Sequence, residues 1–141
     1  MSPKQWGDGY RTTMICIDSY ENSVPVGRFY NQYCPEGVLF RGAIDLIKKV
    51  EAMLDQMNFP QAFSSIRSFA EKTTMDLTGK SNEVSCRGKL ATFSMRVLFR
   101  QNTSWQGSIS WQEGKSEEAF RSVLELLLLI DSAVTSKVAI A

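Results

Sequence analysis

The sequence predicts an α+β domain: an antiparallel sheet of four to five strands with two helices on one face. Three observations lead there. Segments of alternating apolar and polar residues stand in pairs around turn-forming clusters, and each pair is followed by apolar residues at helical spacing. The order then recurs: a displacement of 80 positions brings Thr12 onto Thr92, Asn22 onto Asn102, Gly27 onto Gly107, Phe40 onto Phe120, Arg41 onto Arg121 and Leu46 onto Leu126 without a gap. A single domain over 1–141 follows, with repeat one at 10–58, repeat two at 87–136 and a pseudo-two-fold relation between two strand-strand-helix units.

In the first unit "TTMICIDSY" sets Thr13, Ile15 and Ile17 on one strand face, "ENSVP" turns the chain, and "VGRFYNQ" returns. The stretch "LFRGAIDLIKKVEAMLDQM" then reads as a helix, with Phe40, Ala43, Ile44, Ile47, Val50 and Leu54 on its apolar face and Pro60 as its stop. "AFSSIRSFA" reads as an extra strand and the polar run after it as a linker, together filling 59–86. In the second unit Phe93, Met95, Val97 and Phe99 alternate, and "NTSWQG" turns the chain, with Gly107, like Gly27, read as a turn glycine. "SISWQE" returns, and Ser116 reads as the N-cap of a final helix with Glu117 and Glu118 in its first turn. The second sheet face is left open.

Composition excludes several functions. Sixteen basic against fifteen acidic residues produce no global field for nucleic acid or an anionic membrane, so any such contact needs a local patch. The chain has no histidine, and its three cysteines, Cys16, Cys34 and Cys86, are widely spaced. Ser-His and Cys-His pairs and closed zinc sites are thereby removed, and a reducing, cytoplasmic setting is expected. The apolar run from Val123 to Ile130 is too short to span a bilayer, and the opening residues lack the apolar core of a signal peptide. The carboxylate pairs Asp45 with Glu51 and Glu125 with Asp131 stand six apart on helices, a spacing that favours solvation over a shared metal. No cofactor, metal or catalytic residue is expected, and the chain reads as a binding protein rather than an enzyme.

Two candidate surfaces remain. By strand parity the open sheet face carries Tyr20, Arg28, Tyr30, Arg96 and Arg100, with Trp105 exposed at a turn; guanidinium groups and aromatic rings on a sheet hold single-stranded nucleic acid by ion pairing and stacking. Asp18 shares that face and opposes the reading. The other surface lies on the last helix, where Leu128 and Leu129 occupy the places of Lys48 and Lys49 in the first unit. Solvent-facing lysines have become leucines, which marks a seam for self-association to a dimer or for a protein partner.

"RVLFRQNTSWQG" resembles, over a dozen residues, the two elements by which PilZ domains bind cyclic di-GMP: Arg96 and Arg100 for the arginine pair, and Asn102, Ser104 and Gly107 for the second. In that family the arginines stand well ahead of the second element, whereas here the two adjoin. More broadly, "KLATFSMRVLFRQNTSWQGSISWQEG" with "AFRSVLELLLLIDSA", "YRTTMICIDSYENSVPVGRFYN" and "LDQMNFPQAF" resembles a family of small uncharacterised proteins of gut Firmicutes and their mobile elements. That resemblance covers most of the chain and brings no catalytic residues. It implies a mobile-element accessory that binds or inhibits a host nucleic-acid machine, as anti-CRISPR proteins inhibit defence nucleases by protein contacts.

Overall fold

The computed structural model describes residues 11–57, 87–101 and 104–140. In chain order the elements are β1 (Thr12–Glu21), β2 (Val24–Asn31), β3 (Cys34–Arg41), α1 (Ala43–Met57), β4 (Ala91–Gln101), β5 (Ser104–Trp111), β6 (Ser116–Phe120) and α2 (Val123–Ile140). The strands form one antiparallel sheet in the order β3-β2-β1-β4-β5-β6, so β1 and β4 meet at the centre and β3 and β6 are the edges. No helix of the described residues is long and apolar enough to cross a membrane.

The α+β class matches the sequence reading, but the described residues form six strands rather than four to five. Both additional strands are edges, where period-2 alternation is weakest. β3 contains Pro35 and Gly37, residues depleted from strand interiors and tolerated at an edge. It also takes Phe40 and Arg41 away from the expected helix, which begins at Ala43 instead. β6 reads "SEEAF", exposed at its first four residues. Ser116 therefore opens a strand and caps no helix; the cap of α2 is Ser122, whose Oγ accepts the Glu125 N–H at 3.1 Å. The extra strand and linker expected within 59–86 lie outside the described residues.

One face of the sheet and both helices share a single apolar cluster. Ile15, Phe29, Val38, Phe93, Met95 and Ile109 supply the sheet side, Leu46, Val50 and Met53 come from α1, and Leu126, Ile130 and Val134 from α2. β1 turns into β2 at Asn22 and Ser23, both left-handed (φ 54° and 61°), the conformation of a tight hairpin whose twist suits the flanking strands.

Two β-bulges shape everything that follows. The β1–β2 ladder shifts between Ile17 and Ser19, and the β4–β5 ladder between Val97 and Phe99. Gly27 lies opposite Ile17 and Gly107 opposite Val97, and a Cβ on either would stand 1.8 Å from the carbonyl oxygen of Cys16 or of Arg96. These are mid-strand glycines required by close backbone approach, not turn glycines. An extra residue in a strand also reverses the facing of all residues beyond it.

Candidate interaction site

That reversal relocates half of the expected nucleic-acid face. Beyond the bulges, Tyr20 and Arg100 turn toward the helices, while Phe99, expected inside, is 55% exposed. Trp105 is a strand residue paired with Arg100, and it is buried at 1% exposure rather than displayed at a turn. Arg28 and Tyr30 do lie on the face away from the helices, yet they are buried, as are their neighbours Cys16 and Thr92. Of the six residues, Arg96 alone is exposed on that face, beside half-buried Ser94 and Ser108.

The relocated residues form internal anchors. The Arg100 guanidinium donates to Glu51 at 2.9 Å and to Asp55 at 2.7 Å, both on α1, and the Trp105 indole N–H donates to the other oxygen of Glu51. Glu51, expected to serve solvation, is thus a buried carboxylate with its charge matched by Arg100. On the other side of the molecule the Tyr20 hydroxyl donates to Asp131 of α2. Burial and the adjacent Asp131 carboxylate raise the Tyr20 phenol above its ordinary range. On the opposite face Arg28 donates to the Tyr30 hydroxyl at 2.7 Å, pairs with Asp18 at 2.5 Å and donates to the Arg87 carbonyl at 2.9 Å. Asp18 is therefore the partner of Arg28 rather than a repulsive group on an open surface.

The leucines of α2 divide by facing. Leu126 is fully buried, Leu129 packs partly against the core, and Leu128 is 58% exposed. Leu124, which sequence reasoning missed, lies one turn before Leu128 and is 66% exposed. Its signal was available, since residues four apart share a helix face.

The two sheet edges contrast. At β3, Pro35 has no N–H to offer, the Leu39 carbonyl accepts the Lys49 ammonium at 2.8 Å, and the Arg41 N–H donates to Asp45 at 2.9 Å. These are the devices by which an edge is closed to further pairing. At β6 the register matches, with Ala119 opposite Ser108 as Leu39 is opposite Arg28. Leu129 stands where an amine would be needed, and no side chain among the described residues caps the Ala119 carbonyl. Glu125 pairs with the Arg121 guanidinium at 3.6 Å instead of capping the Arg121 N–H.

Beside this edge a cavity of about 280 Å³ opens between β6 and α2. Its floor is Phe93, Trp111 and Ala133, and its rim carries Glu118, Ser132 and Ser136, all three exposed. The Trp111 indole N–H is buried without a hydrogen-bond partner. Glu118 has no ion pair among the described residues. The described residues contain no cluster of three or more potential metal ligands. No protein-family model matches the chain, and neither a curated protein nor a solved structure matches it.

Proposed function

We propose that the chain is a non-catalytic binding protein that receives an extended segment of a partner protein on the edge of β6, acting through protein contacts alone. One observation carries the reading: the Lys49 ammonium closes the Leu39 carbonyl at one edge, and with leucine at 129 the Ala119 carbonyl at the other has no side-chain cap among the described residues. A bare edge presents unpaired backbone donors and acceptors to any extended chain, and strand addition is a common way for a sheet to bind peptide. Leu129 and the cavity beside it supply apolar surface where side chains of an added strand would project.

The reading is sharpened if the halves are copies of one strand-strand-strand-helix unit, which we also infer. β2 and β5 begin and end 80 positions apart, the two bulges fall 80 apart, and so do the two glycines opposite them. On that inference one copy has kept a closed edge while the other has lost the closing amine and acquired leucine. A nucleic-acid partner is less well supported, because Arg96 is the single exposed member of the six residues that would have held it.

The test is hydrogen exchange at β6, read with and without short blocked peptides of alternating apolar and charged residues. Peptide-dependent protection confined to β6 and abolished by Leu129→Lys supports the reading. Unchanged exchange at β6 with every peptide overturns it. Protection that instead rises with protein concentration alone, together with a dimer in sedimentation, assigns the edge to a second copy and overturns a heterologous partner.

A further inference from the structure

Resting on that reading, we infer that the strand added to β6 is basic: an extended segment in which Lys or Arg alternates with aliphatic side chains. Of the five residues of β6, Glu117 and Glu118 are acidic, and none is basic. Both carboxylates are exposed, and neither has an ion pair among the described residues. Glu117 lies opposite Ser110, on the face away from the helices, whereas Glu118 lies opposite Ile109, on the helix face at the rim of the cavity. A cation directly across from Glu117 gains the cross-strand attraction that this edge leaves unused.

The same charges argue against a second copy that pairs through its glutamates. A two-fold pairing of β6 with itself centred on Glu117 or on Glu118 sets a carboxylate opposite its own mate, and like charges directly opposed are destabilising. On the helix face the requirement differs. The side chains of an added strand there approach Leu129 and a cavity floored by Phe93, Trp111 and Ala133. Aliphatic groups fill such a site without leaving a polar atom unpaired. Backbone pairing then supplies affinity, and the alternation of basic and aliphatic residues supplies selectivity.

The experiment uses the full chain and three fluorescent blocked peptides: alternating Lys-Val, alternating Glu-Val, and the Lys-Val peptide with prolines at alternate valines. Polarisation should show the Lys-Val peptide binding on the order of tenfold more tightly than the Glu-Val peptide, with the difference shrinking as salt rises. The proline peptide keeps the charge but lacks backbone donors, so its binding should be lost. The variant Glu117→Lys/Glu118→Lys, altered only at exposed positions and checked by circular dichroism, should invert the preference. Equal binding of both charged peptides, blocked in each case by Leu129→Lys, overturns the basic occupant while leaving the open edge standing. Undiminished binding of the proline peptide overturns strand addition itself, as does the failure of every peptide to bind.

Discussion

Replacing Glu51 by leucine tests whether the anchor between α1 and the β4–β5 hairpin is a buried ion pair or a surface one. Among the described residues the variant leaves Arg100, 1% exposed, with partners that include Asp55 at 2.7 Å and the Leu54 carbonyl at 3.5 Å, and it leaves the buried Trp105 N–H without an acceptor. Removing one member of a buried pair costs about 3–5 kcal/mol. An orphaned indole donor accounts for about 1–3 kcal/mol of this. Arg100→Met alone should cost a comparable amount, since it removes the cation matched to Glu51. The double variant Glu51→Leu/Arg100→Met should cost far less than the sum, because apolar side chains replace the buried ion pair at little net penalty and the orphaned Trp105 N–H, about 1–3 kcal/mol, is the main loss that persists. Urea unfolding with linear extrapolation measures all four corners of the cycle. Single effects below about 1 kcal/mol, the range of exposed pairs, or additivity within about 0.5 kcal/mol, would refute the assignment.

Three further outcomes are expected. Tyr20 holds its proton more tightly folded than unfolded, so its contribution is complete below the ordinary phenol pKa of about 10 and is lost as pH rises through the raised folded value; urea midpoints above that pH should therefore fall more steeply in wild type than in Tyr20→Phe. Gly27→Ala and Gly107→Ala should each destabilise by about 3 kcal/mol or more, and by similar amounts, since each Cβ meets a backbone carbonyl oxygen at 1.8 Å rather than a side chain able to move; thermal unfolding of the pair measures this. Leu128→Lys should change stability by no more than about 0.5 kcal/mol, because the leucine is 58% exposed, and the same unfolding assay checks it.

The central strands were legible in the sequence because burial on one face imposes period-2 alternation: Ile15 and Ile17 in β1 and Phe93, Met95 and Val97 in β4 face the helices as read. The helices were legible for the analogous reason, with Val50 and Leu54 buried along one side of α1 as read, although Leu46 faces the core and Ile44, expected there, is 73% exposed. The edges were not. β3 and β6 pair on one side only, so proline, glycine and charge are permitted there and the alternation that announces a strand disappears. The facing of Tyr20, Arg100 and Trp105 was lost for a different reason. Parity assumes a continuous ladder, and one bulge in β1 and one in β4 reverse it. The glycines opposite those bulges were in view, but a glycine between strand-like segments reads equally as a turn. Only the register distinguishes a carbonyl at 1.8 Å from a bend in the chain.

Set against Lys49, 80 positions earlier, Leu129 reads along the helix as a matter of amphipathicity, equivalent to Leu128 in the loss of a polar residue from that face. In three dimensions they differ. Leu128 stays exposed, whereas Leu129 packs partly against the core. Lys49, its counterpart by sequence, uses its ammonium not to solvate the helix but to close a backbone carbonyl on the adjoining edge strand. The consequence of leucine at 129 is therefore felt on β6 rather than on α2. Sequence reasoning had no strand there to receive it, because the residues of β6 had been assigned to the helix start. Once β6 is recognised as an edge, its two glutamates cease to be helix-start charges and become the feature that selects what can lie beside it.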